Sequence, residues 1–289
     1  MWRKTVRLGL LAIAGLALFT LPVACGDDEA EEPTATGTPA ATATGTPLAT
    51  VTPMMSTPIA TPPGTPVPGV CVPQAPIEGQ ANVFHNSGFE AGEDPWCTAH
   101  PGEPTKFQVS GNYAQSGESS ALLRMRVPAE EEGKAKVFYL VQEVTPEEFP
   151  ELISGYYWVE NWTRGTPKQY LQFVVVVFDV TNLPGGYSNH QIRYPLAGIS
   201  AEPFPIANAH FIFIGKEDPR TGEWVYFERN LKQDFEALWG GVPEGFTKIR
   251  VLFEVRYDDK QPGPSPANAD VYYDDLYMGP ASENPNRPG

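Results

Sequence analysis

Residues 247–257 read Thr-Lys-Ile-Arg-Val-Leu-Phe-Glu-Val-Arg-Tyr, and their alternation decides the fold. Thr247, Ile249, Val251, Phe253, Val255 and Tyr257 point one way, and Lys248, Arg250, Leu252, Glu254 and Arg256 the other. That is the period of a β-strand with an apolar side and a polar side. Upstream, residues 170–178 read Tyr-Leu-Gln-Phe-Val-Val-Val-Val-Phe, a β-branched and aromatic run suited to a strand buried on both faces. Further strands are predicted at 81–84, 106–109, 120–127, 137–144, 155–161, 211–214, 223–227 and 271–278, several of them separated by turn signals such as Leu183-Pro-Gly-Gly and Gln261-Pro-Gly-Pro. Only 231–239 has helical spacing, with Leu231, Phe235 and Leu238 on one side and Gly240-Gly241 as the stop. Ten strands and one short helix in roughly 210 residues, enough for one substantial core, predict an all-β sandwich over 70–280. No 20–50-residue period repeats, which argues against solenoids and propellers.

The segment before this domain sets an address. Arg3, Lys4 and Arg7 precede an uncharged run from Leu8 to Ala24, and Cys25 comes directly after Leu21-Pro22-Val23-Ala24. A basic head, an apolar stretch and a small residue before the cut are the parts of a secretory signal over 1–24. The cysteine after the cut resembles the lipobox of bacterial lipoproteins, which implies lipidation of Cys25 and membrane anchorage outside the cytoplasm. An ordinary cleaved signal and an uncleaved anchor helix are the alternatives, and all three export the rest of the chain. Residues 25–69 read as a linker, first acidic (Asp27 to Glu32) and then free of charged and aromatic residues from Pro33 to Gly69. Such Thr/Pro/Ala-rich sequence has nothing to bury and is expected to stay disordered, a stalk reaching on the order of 100 Å if polyproline-like. Residues 281–289 are expected to be a disordered tail.

The formal charge is −15, and loss of Arg3, Lys4 and Arg7 with the signal takes it to −18. A balance this acidic argues against nucleic acid as partner and against lying flat on anionic lipid. Membrane contact is therefore expected only through the N-terminal lipid. Besides Cys25 the chain has only Cys71 and Cys97, and in an exported protein such a pair predicts one disulfide. The bridge is expected to tie the domain's start to the loop after its first strand. His85, His100, His190 and His210 stand singly, without zinc-ligand spacing.

Four pieces carry a resemblance. Asn86-Ser87-Gly88-Phe89-Glu90 is followed by Pro95-Trp96. Then come Ser116-Gly117-Glu118-Ser119-Ser120-Ala121-Leu122, Ser154-Gly155-Tyr156-Tyr157-Trp158-Val159 and Val271-Tyr272-Tyr273-Asp274-Asp275-Leu276-Tyr277. Their order over about 82–279 resembles the jelly-roll carbohydrate-binding modules of families 4, 9 and 22, within the galactose-binding-like group. In a jelly roll the first and last strands are neighbours, so Glu90 would meet Asp274 or Asp275. With loop carbonyls around 117–119 these would hold a structural Ca²⁺ at about 2.3–2.6 Å. The resemblance also implies a polysaccharide or other glycan as ligand.

Sugar recognition needs aromatic faces with flanking amides and charges. Tyr156, Trp158, Glu160 and Trp162 alternate along one predicted strand face, and Arg250 and Arg256 belong to a polar stripe expected to line the same concave sheet. Trp96 and Trp239 read as packing residues. No ExDxxE or GxSxG signature occurs, and no credible Cys/His pair; the carboxylate pairs Glu217-Asp218 and Asp258-Asp259 lie in predicted turns. The expectation is a non-catalytic glycan-binding domain. A structural or surface-protein-binding domain of the same fold is the alternative, ahead of a glycoside hydrolase or polysaccharide lyase. The segment 224–239 is expected to lid or plug the groove.

Overall fold

The computed structural model describes residues 71–98, 107–200 and 206–287. The expected signal peptide, Cys25 and the 25–69 linker lie outside them. Ten strands occur, in chain order β1 (Gln108–Ser110), β2 (Ser120–Val127), β3 (Gly133–Val144), β4 (Leu152–Thr163), β5 (Lys168–Phe178), β6 (Asn189–Ile199), β7 (Ala209–Phe211), β8 (Trp224–Asn230), β9 (Lys248–Lys260) and β10 (Ala267–Gly279). They form two sheets, ordered β1-β2-β10-β4-β8 and β3-β9-β5-β6-β7. The pairs are antiparallel except β6 with β7. The fold is a two-sheet β-sandwich of jelly-roll type.

The core lies between the sheets and follows the alternation of the sequence. Ile249, Val251, Phe253, Val255 and Tyr257 enter it from β9, and Leu171, Phe173, Val175 and Val177 from β5. Leu123, Met125, Ala269, Val271 and Tyr273 answer from β2 and β10. Phe173 stacks on Tyr194 and Phe227 at 4.5 and 5.2 Å, and Phe253 meets Tyr273 at 5.2 Å. Each such buried side chain contributes about 1.5–3 kcal/mol relative to exposure.

Helix α1 (Leu231–Trp239) coincides with the predicted span. The Asn230 side chain accepts from the Gln233 N–H at 2.9 Å, and Gly240 ends the helix at φ 80°, a conformation that glycine adopts without strain. Leu231, Phe235 and Trp239 enter the core, and buried Asp234 joins Arg229 of β8 to the Tyr194 hydroxyl of β6. The segment 224–239 therefore supplies an edge strand and a core-packing helix.

The disulfide Cys71–Cys97 is present, with Cα atoms 5.5 Å apart. Cys97 pairs with Val141 of β3, and Gln74 with Val144, so the bridge fastens the domain's start along the β3 edge. Residues 81–84, predicted as the first strand, form none. They still run beside the last one: Val83 N–H donates to the Met278 carbonyl at 2.9 Å, and the Asn82 side chain brackets Leu276 and Met278.

Two further expectations fail. β6 is absent from the predicted strands; its Pro195 is tolerated since β7 pairs only with residues 191–193. Residues 281–287, expected as part of an unstructured tail, lie against β4 and β8. Asn284 bonds Ser154, Tyr226 and Glu228, and Arg287 pairs with Glu228 at 2.6 Å.

Candidate functional site

The polar side of residues 247–257 becomes the outer face of the β3-β9-β5-β6-β7 sheet. Register sets β9 beside β5, with Gln172 opposite Glu254, Val174 opposite Leu252 and Val176 opposite Arg250. On the other flank β6 places Arg193 opposite Val174 and Gln191 opposite Val176. Except for fully buried Gln172, these side chains line a shallow groove of about 230 Å³, with Phe178 and Asn189 at one end.

Ion pairs hold Arg250 of the groove and Arg256 further along β9. Glu143 of β3, 2 % exposed, binds Lys248 Nζ at 2.8 Å and Arg250 Nη2 at 2.5 Å. Arg256 contacts Glu254 at 3.5 Å and Asp258 at 2.5 Å, and Gln172 Nε2 donates to Glu254 Oε2 at 2.6 Å. Burial works against the Arg256 cation, but Glu254, Tyr170 and Asp258 outweigh it and raise its pKa, so the guanidinium stays charged. The Tyr170 hydroxyl donates to Asp258 at 2.8 Å, and its pKa is raised by burial first and by that carboxylate next.

Five buried side-chain polar atoms among the described residues have no hydrogen-bond partner, and three belong to this face: Gln172 Oε1, Arg193 Nε and Arg256 Nε. Unpaired buried polar atoms are costly and uncommon in folded proteins. An acceptor and two donors, all buried, stand here beside the apolar patch of Val174, Val176 and Leu252.

The six residues expected to share one sugar groove are divided. Arg250 and Arg256 stand on the face just described. Tyr156, Trp158 and Glu160 stand on the outer face of the other sheet, pointing away on the far side of the sandwich. Alternation along a strand shows which residues share a face, not which sheet the strand joins. Trp162 departs even from its own strand's pattern. Val159 pairs with Val271 and Trp162 with core residue Ala269, so β4 bulges at 160–161 and turns Trp162 inward. Its indole N–H donates to Asp218 at 2.8 Å.

On that far face the aromatics engage one another. Tyr113 stacks on Trp158 at 4.6 Å, and Trp224 meets Trp158 at 5.8 Å. The Trp158 indole N–H donates to Glu160 at 3.2 Å. Tyr156 lies 5.2 Å from Tyr226, and its hydroxyl donates to the Asn286 carbonyl at 3.1 Å. Trp96 and Trp239 are buried in the core, in keeping with their reading as packing residues.

The carboxylates expected to hold calcium surround the 115–119 loop. Glu90 Oε1 accepts the N–H groups of Glu118 and Ser119, each at 2.9 Å. Asp274 Oδ2 accepts Gln115 N–H at 2.7 Å, and Asp275 Oδ1 accepts the Ser116 hydroxyl at 2.6 Å. Asp274 is fully buried, and burial first, then neighbouring Asp275, raises its pKa to about 7 despite the amides. An under-compensated buried carboxylate beside a second one fits a hard cation. Glu90 is turned to the loop instead, and among the described residues no three His, Cys, Asp or Glu side chains form a metal-holding group.

No protein-family model matches the chain, and no curated protein does. Solved structures similar to it include carbohydrate-binding modules, a bacteriophage tailspike enzymatically active domain and a putative glycoside hydrolase. The TmCBM61 module, in complex with β-1,4-galactotriose, aligns with 69 % of this chain and 98 % of its own, at 16 % identity and TM-score 0.38. A family 16 module aligns over 68 and 99 %, at 16 % identity and 0.37. The C-terminal family 22 module of Clostridium thermocellum Xyn10B aligns over 69 and 92 %, at 15 % identity and 0.34. The two-sheet architecture rests on the strand pairing itself.

Sequence patterning does not single out Gln172 or Arg193. Gln172 sits inside the apolar run of β5, and Arg193 on the strand masked by Pro195. The alternation of His190, Ile192, Tyr194 and Leu196 is the signal that would have found the latter.

Proposed function

We propose that the folded part is a non-catalytic glycan-binding domain whose ligand lies in the β6-β5-β9 groove, carried outside the cytoplasm on the 25–69 stalk and a lipid at Cys25. The observation that carries the reading is the set of unpartnered Gln172, Arg193 and Arg256 atoms on one face. Gln172 is fully buried, so its side chain turns outward for a sugar hydroxyl to donate to Oε1; other hydroxyls accept from the guanidinium edges, while a ring's C–H side rests on Val174, Val176 and Leu252. Glu143, Glu254 and Asp258 keep Arg250 and Arg256 in place, so little ordering remains to be done on binding. A calcium ion at Asp274 and Asp275 belongs to the same reading as a structural group, on the opposite sheet from the groove.

The test is affinity for a panel of soluble and insoluble polysaccharides with Gln172→Met, which keeps size and removes the unpaired acceptor. A loss of about tenfold with unchanged melting is expected for a site hydrogen bond. Unchanged binding moves the ligand off this face. For the anchor, Cys25→Ala is expected to shift the chain from the detergent phase to the aqueous phase on partitioning.

A further inference from the structure

The charges of the groove narrow the ligand class, given that the groove is the glycan site. Four cations stand on this face (Arg193, Lys248, Arg250 and Arg256) against three carboxylates (Glu143, Glu254 and Asp258). Glu143 serves Lys248 and Arg250, and Arg256 is served by Glu254 and Asp258. Arg193 is left over. Its Nη2 meets only the neutral Gln191 side-chain oxygen, at 3.1 Å, its Nε is buried without a partner, and no ion pair to it exists among the described residues. A half-buried guanidinium matched only by an amide oxygen is poorly compensated. It is the more notable in a chain whose net charge is −15.

We propose that the groove binds an acidic polysaccharide, with a uronate carboxylate taken up by Arg193. Position supports the pairing. Arg193 faces Leu252 across Val174 of β5, and two strand spacings separate β6 from β9 by about 10 Å. A pyranose lying over Val174 and Val176 therefore presents one edge to Arg193 and the other to the Arg250 and Glu254 side. Its carboxylate on the first edge replaces the Gln191 oxygen with a charge-assisted bond, the stronger of the two. On the second edge Glu254 repels a like charge, which sets the direction in which the sugar enters.

Oligogalacturonate, oligomannuronate and glucuronoxylan oligosaccharides, each beside its carboxyl-reduced form, are titrated into the full chain by calorimetry. At least one acidic form is expected to bind ten times more tightly than its reduced partner or better. Arg193→Gln is expected to remove that preference, lowering affinity for the acidic form at least ten times more than for the reduced form, and Arg193→Lys to retain part of it. Equal affinity for acidic and reduced forms overturns the proposal, as does an Arg193→Gln loss that is the same for both. Tighter binding of a sulfated chain of the same backbone overturns the carboxylate assignment. Absence of binding by every glycan, with Gln172→Met also silent, overturns the glycan reading itself. Binding of reduced forms alone, sensitive to Gln172→Met, overturns only the acidic one.

Discussion

Trp158 shows how an aromatic residue can look like a ligand platform and serve packing. One face of its indole is covered by Tyr113, which stands in the loop before β2, and its edge is met by Trp224. The stack fastens the loop that also delivers N–H groups to Glu90 and Asp274. Trp158→Ala is therefore expected to destabilise by about 2–4 kcal/mol through the lost packing, read by chemical denaturation. Glycan affinity in the groove on the opposite sheet is expected to stay within twofold. A selective loss of glycan binding with stability intact would return the site to the Trp158 face.

At the scale of elements, the bulge in β4 is held by Asp270 of β10, which faces the extra residue. Asp270, 4 % exposed, takes Arg126 and Asn161 at 2.6 Å each and Arg124 at 3.1 Å, joining β2, β10 and β4 on one face. Burial raises its pKa, but the bonds to Arg126 and Asn161 and the arginine charges outweigh it, so the carboxyl lies below the ordinary carboxylate range. A depressed folded pKa means that the carboxylate's stabilisation is present above its unfolded value and lost as pH falls through the folded one. Asp270→Asn is expected to cost about 1–3 kcal/mol at pH 7, and the gap to the parent to narrow steadily below pH 4 in urea titrations. A gap that stays constant down to pH 2 would show that the charge is not what holds the bulge. This bulge is also why the face of Trp162 was not legible. Nothing in Glu160-Asn161-Trp162 announces an extra residue, since the bulge exists only against Asp270 on a strand over a hundred residues away.

For the whole molecule, the sandwich closes its ends by contacts between the first described segment and the last strand, near Asn82, Gly88 and residues 274–278. If a cation compensates Asp274 there, chelation removes a constraint on both chain ends. EDTA after thorough stripping is expected to lower the melting temperature by several degrees and calcium to restore it. A loss of about 2 kcal/mol corresponds to some 4–8 °C in a domain of this size. An unchanged melt would mean that the loop amides suffice for Asp274 and Asp275.

The sequence by itself determined most strand faces, the span and C-terminal stop of α1, the Cys71–Cys97 pairing and the β-class of the domain. These depend on residues close in the chain, through the two-residue and 3.6-residue periods, or on a single possible partner. Only the tertiary structure decided that Arg250 and Arg256 belong to one sheet and Tyr156 and Trp158 to the other, that Trp162 turns inward, and that Arg193 and Arg250 line one groove. Sheet membership and register are set by which crossovers bring distant strands together. Local periodicity says how a side chain points from its own strand, and nothing about what lies beyond it.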